Sequence, residues 1–423
     1  MLSNICAKLI IYLKDIIFSE EFCRLYRQNE HDFTRNRKLT FTTIILLLIN
    51  FLKNSLQDEL DYFFKAVHQQ EVPERTVTKS AFCRARRKVK PEAFVHLNRK
   101  LADFFYQNCP HRTWRGFRLL GIDGSTVKLP SNPAVAADWG GLARTSHLYD
   151  PLNRLTLDAR LAPETVGERT LALSHLGLLG PGDLLLLDRG YPAFWLFAGL
   201  MTRGIHFCAR MALKHWRVVQ QFYLSGRPEQ IIVLEPFPCS LPRCRELGAP
   251  VAPLTLRLLR IELENGETEI LCTSLVDQET FPHDVFAGLY HQRWFTEEAL
   301  KLLKSRLTVE NWSGKSLEAV QQDFHAKIFA QNLTLALAHH SQARGQETPT
   351  HKKYPYKINV AQALSKMKDT IVLLFLKADI RTLLEKIVNL LLQSLEPFRP
   401  NRKYPRKLRP NPKVFAFAYK PAR

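Results

Sequence analysis

The sequence predicts an α/β protein: a mixed-sheet core with a β-rich insertion, flanked by helical regions at both ends. Three observations predict it. Residues 1 to about 108 space their apolar side chains at helical intervals with no period-2 alternation. From Phe117 the texture changes to short apolar runs separated by Gly and Pro, and beyond residue 278 helical spacing returns. At 423 residues the chain exceeds one ordinary core. Three segments are expected, at 1–108, 109–345 and 346–423, and no internal repeat is found.

In the first segment Leu56, Leu60, Phe63 and Phe64 recur on one helical face. Thr78 and Ser80 offer hydroxyl caps to a helix carrying Arg84, Arg86, Arg87, Lys88 and Lys90, which reads either as a DNA-facing helix or as a soluble basic face. Sixty Lys and Arg against forty Asp and Glu give a formal charge of +20, which favours a polyanionic partner, nucleic acid ahead of an acidic membrane surface. The longest apolar run, Ile44 to Ile49, is too short to cross a bilayer. Lys8, Lys14 and Asp15 interrupt the apolar start, so an amphipathic first helix is expected there and not a signal sequence. Eight scattered cysteines without C-x-x-C pairs suggest neither a disulfide framework nor a zinc site, and a reducing cytoplasm fits.

The core begins with strands at 117–123, 126–129 and 155–161, followed by a helical segment at Glu168–Leu178. The unbroken leucines of Asp183–Asp188 are of the kind found in strands covered on both faces. A helix at Tyr191–Arg203 and a strand at Ile205–Arg210 complete the order β-β-β-α-β-α-β. Residues 211–278 form the insertion, with a strand at Gln230–Leu234 and a hairpin turn at Asn265-Gly266. Long helices follow at His283–Lys304 and Leu317–His340, and the last segment is helical through Leu395. The end is a tail: Arg399 to Arg423 holds nine Lys or Arg, five Pro and no acid. It suits phosphate contact or simple solubility.

Chemistry concentrates in HDVFAGLYHQRWFTEEALKLLK, residues 283–304. On an ideal helix Tyr290, Arg293, Glu297 and Lys304 share a wedge roughly 60° wide, opposite an apolar back. The spacing Y-x2-R-x3-E-x6-K arises by chance on the order of a few times per thousand chains this long. Asp123 closes an apolar run in GIDGS and Asp188 closes another in LLLLDRGY, where groups past the carboxyl ends of strands line ligand crevices. Each is also a turn-forming Asp beside Gly. Asp183 starts its strand and Asp158 lies on the polar side of an alternating one, so both read as structural. With no H-x-x-x-H pair, phosphate loop or G-x-S-x-G elbow, histidine and serine chemistry are disfavoured.

On Tyr290, Arg293, Glu297 and Lys304, together with GIDGS and DRGY, the chain resembles the bacterial insertion-sequence transposases of the DDE class, the group called insertion sequence four. The T-K-S-A-F segment, the insertion before the glutamate helix and the basic Pro-rich end are similar too, so the resemblance covers nearly the whole chain.

It implies a ribonuclease-H-like catalytic domain at 109–345 behind a helical DNA-binding domain at 1–108. Asp123, Asp188 and Glu297 would hold two Mg²⁺ ions, with Mn²⁺ as the substitute, since hard cations take oxygen ligands. Cut-and-paste transposition by hydrolysis and strand transfer follows from the resemblance, as do transposon-end and target DNA as partners, a homodimer on DNA and a bacterial cytoplasmic setting without a membrane. Arg293 and Lys304 would grip phosphates and Tyr290 would line the same strand; Trp294 would stack on a distorted base or pack in the core, and Arg210 is a further DNA contact. Glu168, in a G-E-R sequence shared with the family, receives no chemical role. The competing expectations are a catalytically inactive DNA-binding derivative and a metal-dependent nuclease that cuts without rejoining.

Overall fold

A computed structural model describes residues 2–345 and 356–397. The chain divides into two compact units, one of Met1–Pro110, Val127–Ala143 and Lys301–Arg423, the other of His111–Thr126 and Arg144–Leu300. The packing therefore groups residues 301–345 with the terminal helical regions, whereas the sequence suggested a single segment over 109–345. The basic tail lies outside the described residues.

The second unit is built on an eight-stranded mixed sheet. Its strands are β1 (Arg118–Lys128), β2 (Leu142–Asp150), β3 (Leu155–Pro163), β4 (Asp183–Leu187), β5 (His206–Arg210), β6 (Glu229–Leu234), β7 (Leu254–Glu262) and β8 (Thr268–Thr273), in the order β3-β2-β1-β4-β5-β8-β7-β6. The sheet belongs to this unit except for the last two residues of β1 and the first two of β2. β1, β4 and β5 run parallel; β8, β7 and β6 continue antiparallel from β5. The insertion is thus the outer part of the core sheet itself. Its hairpin turn falls at Asn265-Gly266 as the sequence indicated, with Gly266 at φ +80°, where a side chain would be strained.

Two features correct the sequence reading. The runs at 117–123 and 126–129 are one strand, so Asp123 sits inside β1 and does not end it. The strand β2 was not expected at all.

Leu184, Leu185, Leu186 and Leu187 are all fully buried, each worth about 1.5–3 kcal/mol relative to exposure. Leu184 and Leu186 share a core with Leu119, Leu271, Phe286, Leu289 and Tyr290, which seats helix Val285–His291 against the sheet. At the start of the parallel strands Arg118 makes a two-pronged pair with Asp183 (2.7 and 2.8 Å), confirming Asp183 as structural.

In the first unit the helices Glu20–Tyr26, Phe41–Leu48, Leu56–His68 and Lys79–Arg86 each begin at a hydroxyl cap. Ser19, Thr40, Ser55 and Thr78 accept from the backbone N–H three residues on, each cap contributing about 1 kcal/mol. The long helices Glu92–Asn108 and Leu317–Gly345 belong to this unit, as do Val360–Met367, Thr370–Leu376 and Ile380–Leu392 with their buried apolar faces. No helix among the described residues is long and apolar enough to cross a membrane, and all eight cysteines are free thiols.

Candidate active site

The parallel register of β1 and β4 ends with Ile122 opposite Leu187. The next residues on the two strands are Asp123 and Asp188. Placement side by side is therefore a consequence of strand register, which carries two acids from positions 65 residues apart to one edge of the core.

The third acid comes from a helix that the sequence presents as continuous and the structure breaks. His283–Lys304 is two helices, Val285–His291 and Trp294–Ser305. Around the junction the backbone bonds shorten to three-residue spacing, with Arg293 N–H donating to Tyr290 O (3.0 Å) and Thr296 N–H to Arg293 O (3.0 Å). The ideal wedge does not survive this turn. Tyr290 points into the core and is only 7% exposed, whereas Trp294 is 46% exposed.

Around the junction the signature residues touch one another. Tyr290 Oη lies 3.4 Å from Leu187 O and 3.5 Å from Asp188 Oδ1, both long contacts. The Arg293 guanidinium carbon is 5.6 Å from the Tyr290 ring centroid, and Nη2 donates to Glu297 Oε1 at 2.7 Å. Asp188 and Glu297 are thereby linked through Tyr290 and Arg293. Lys304 ends the same helix beyond the boundary of the unit; partial desolvation lowers its amine below the ordinary range against the pull of Glu310. Arg210 pairs with Glu269 at 2.9 Å.

The charges converge on Asp123. Burial pushes its carboxyl up to about 6; the Gly124 N–H and Arg293 oppose that, while Glu297 and Asp188 add to it. Three oxygen-donor side chains with mutual repulsion suit a hard divalent cation in donor chemistry. As the side chains stand, however, no three His, Cys, Asp or Glu among the described residues are close enough to hold a metal, and one oxygen of Glu297 is taken by Arg293.

Three further residues belong here that the sequence reading left without a role. The Glu168 side chain lies near the glycines that follow both aspartates: a Cβ on Gly124 would lie 3.6 Å from Glu168 Cγ, and one on Gly190 3.8 Å from Oε2. Arg169 holds the Asp188 loop by donating to Gly190 O at 2.7 Å. Tyr191 is 2% exposed, and its hydroxyl has no partner. The signals were the G-E-R sequence and the tyrosine of DRGY.

A second arrangement looks catalytic and is not. Ser146 Oγ lies 3.0 Å from His175 Nε2, and His175 Nδ1 lies 2.9 Å from Asp158. All three are buried, and Asp158 also takes Arg160. Burial works to raise Asp158, but His175 and Arg160 hold it below the usual carboxylate range. No substrate reaches Ser146; the chain serves to satisfy polar groups inside the sheet.

In the first unit, Arg86 departs from the expectation of a DNA-facing helix. It is 2% exposed and paired with Asp323 at 2.9 Å, while Arg84 and Arg87 are exposed. Arg84 lines a cavity of about 840 Å³ together with Arg35, Arg37, Lys38 and Lys88.

A family model described as "Transposase DDE domain" matches residues 114–333, just over half of the chain. The chain is 26% identical over 276 residues to the transposase InsG for insertion sequence element IS4 of Escherichia coli (strain K12). That match covers 61% of this chain, which spans 60% of the relative's length. Among solved structures, the cryo-EM structure of the piggyBac transposase synaptic complex with hairpin DNA is similar at a TM-score of 0.46 and 11% identity, over 90% of this chain and 85% of that one.

Proposed function

This chain belongs to the transposase DDE domain family, and from that premise we propose that it is a DNA transposase moving an insertion sequence by cut-and-paste phosphodiester hydrolysis and strand transfer. One observation carries the reading. Asp123 and Asp188 leave the last β1–β4 register pair side by side, and the charge of Glu297 bears on the same carboxyl.

In this proposal Asp123, Asp188 and Glu297 would hold two Mg²⁺ ions, for which Mn²⁺ would substitute. Bound divalent cations would activate a water or 3′-hydroxyl and stabilise the departing 3′-oxygen. The chain's own residues do the rest. Arg293 restrains Glu297 before DNA arrives and then grips a phosphate near the scissile bond, with Lys304 as a second phosphate contact. Trp294 presents an exposed indole for stacking on a distorted base, and Tyr290 braces Asp188 from the core side. Arg210 remains a DNA contact once exchanged from Glu269.

The partners are transposon-end and target DNA, met by a homodimer in the bacterial cytoplasm. The net charge of +20 supports the DNA partners, as does the basic cavity of the helical segment 1–108, where Arg35, Arg37 and Arg84 would track a phosphate backbone. Replacing Glu297 by Ala tests the reading. With DNA carrying the inverted repeats that flank the gene, strand-resolved assays should show Mg²⁺-dependent cleavage abolished and end binding retained. Undiminished nicking by Glu297→Ala would overturn it, and cutting without joining by the native chain would reduce it to a nuclease.

A further inference from the structure

The buried hydroxyl of Tyr191 is a feature of this centre that the resting arrangement leaves unexplained. A desolvated donor with no partner costs about 1–3 kcal/mol. Phe would fill the same space without that cost. The charges of three carboxylates nevertheless bear on the phenol. Burial first, then the charges of Asp123, Glu168 and Asp188, hold it protonated well above its ordinary range against Arg144. It is a permanent neutral donor among carboxylates, none of which takes its hydrogen.

Its backbone is not adjustable. Tyr191 N–H donates to Asp188 O at 3.0 Å, and Arg169 fixes the adjoining Gly190 carbonyl. Of the carboxylates whose charge bears on the phenol, Asp123 bears most, and a single side-chain rotation re-aims it. Asp123 uses Oδ1 for the Gly124 N–H at 2.8 Å. Its other oxygen, Oδ2, is left for a second donor.

We propose that Tyr191 is a positioning residue of the acidic centre, whose hydroxyl donates to Asp123 only when the carboxylates close around a divalent cation. The resting and closed arrangements then differ in two coupled ways. In the first, the acids are too far apart to hold a metal and the phenol is unsatisfied. In the second, the cation draws the acids together and Asp123 turns one oxygen to the cation and the other to Tyr191. A hydrogen bond behind a ligating carboxylate fixes its orientation, and loss of such a partner typically lowers metal affinity 10–100-fold. Tyr191 therefore acts through Asp123 and does not touch DNA.

The inference rests on the divalent-cation reading given above, and its test needs no DNA. Mn²⁺ alone is titrated calorimetrically into the full chain and into Tyr191→Phe, and thermal unfolding of both is recorded without metal. We expect Tyr191→Phe to unfold at the same or a higher temperature and to bind Mn²⁺ about tenfold more weakly. Unchanged Mn²⁺ affinity overturns the proposal, and so does a variant destabilised without metal, because the hydroxyl then has a partner within the resting fold. A native chain that binds no Mn²⁺ removes the cation reading and this inference together. Tyr191-dependent Mn²⁺ binding in a chain that never cuts end DNA leaves the inference standing and removes the transposase reading.

Discussion

Arg293 Nη2 and Glu297 Oε1 are 2.7 Å apart, so the helix-borne acid of the candidate centre is already neutralised by a cation one turn before it. The pair is sheltered, at 12% and 30% side-chain exposure, which sets it apart from the surface i,i+4 pairs that contribute little. On the proposed reading its consequence is competition: a cation bound by Glu297 would have to displace Arg293 from Oε1.

Replacing Arg293 by Ala should therefore separate two quantities that a simple ligand loss would move together. Without the guanidinium Glu297 loses the cation that competes for it, and on the proposed cation reading Mn²⁺ affinity of the DNA-free chain should rise several-fold, for a Coulombic change of about 1 kcal/mol. DNA cleavage should fall by at least about tenfold, because the same guanidinium is proposed to grip the phosphate. Calorimetry beside a cleavage assay checks both. A fall in Mn²⁺ affinity would mean that Arg293 orients Glu297 for the cation and does not compete with it.

The approach of that helix to the sheet is set by a glycine. A Cβ on Gly121 would lie 2.5 Å from Thr296 Oγ1, and Thr296 is buried immediately before Glu297. Gly121→Ala should cost about 1–3 kcal/mol in a denaturant titration and reduce cleavage by displacing Glu297. Adding Thr296→Ala removes the obstructing hydroxyl, itself without a hydrogen-bond partner, so the double variant should recover most of both losses. Additive losses would show that the contact does not govern the spacing.

Much of this was legible in the sequence because the period of its apolar residues matches the packing. The leucines of β4, the Asn265-Gly266 hairpin and the acids after apolar runs all follow from local pattern. What stayed hidden was decided by tertiary partners. Strand β2 reads as polar, with Thr145, Ser146, His147 and Asp150, yet all four are buried. Thr145 donates to Ser125 O, Ser146 meets His175, and Asp150 accepts from the N–H groups of Leu152 and Asn153. No period within nine residues announces those partners. The break at Gln292-Arg293 was equally invisible, since neither residue is a helix breaker. Glu168 lacked a role for the same reason: its neighbours Gly124 and Gly190 come from two other stretches of chain.

The raised carboxyl of Asp123 predicts a site that works against the stability of the fold. Its folded value of about 6 lies above its ordinary 3.8, so between those pH values the folded state holds the proton more tightly and stability falls as pH rises. Above about 6 the whole cost of the buried charge is present, on the order of 1–3 kcal/mol. Asp123→Asn should accordingly unfold at a higher denaturant concentration at pH 8, lose that advantage towards pH 4, and cut no DNA. Chemical denaturation at the two pH values decides it, and equal midpoints at pH 8 would show that the burial carries no charge penalty.

Arg86 should behave as a structural residue although it sits in a basic helix. It donates to Gln322 Oε1 (2.7 Å), Ser313 Oγ (2.6 Å), Ala319 O (3.0 Å) and Asp323 Oδ1 (2.9 Å), and both members of the ion pair are under 5% exposed. Arg86→Ala leaves the Asp323 charge buried without its cation, a loss of about 3–5 kcal/mol. Arg84→Ala removes an exposed charge from the cavity wall, should leave stability within about 0.5 kcal/mol, and should reduce the salt slope of DNA binding by about one ion. Salt-titrated binding beside thermal unfolding separates the two arginines. If Arg86→Ala were as stable as the native chain and bound DNA with a shallower slope, the helix would face DNA through the residue that the structure buries.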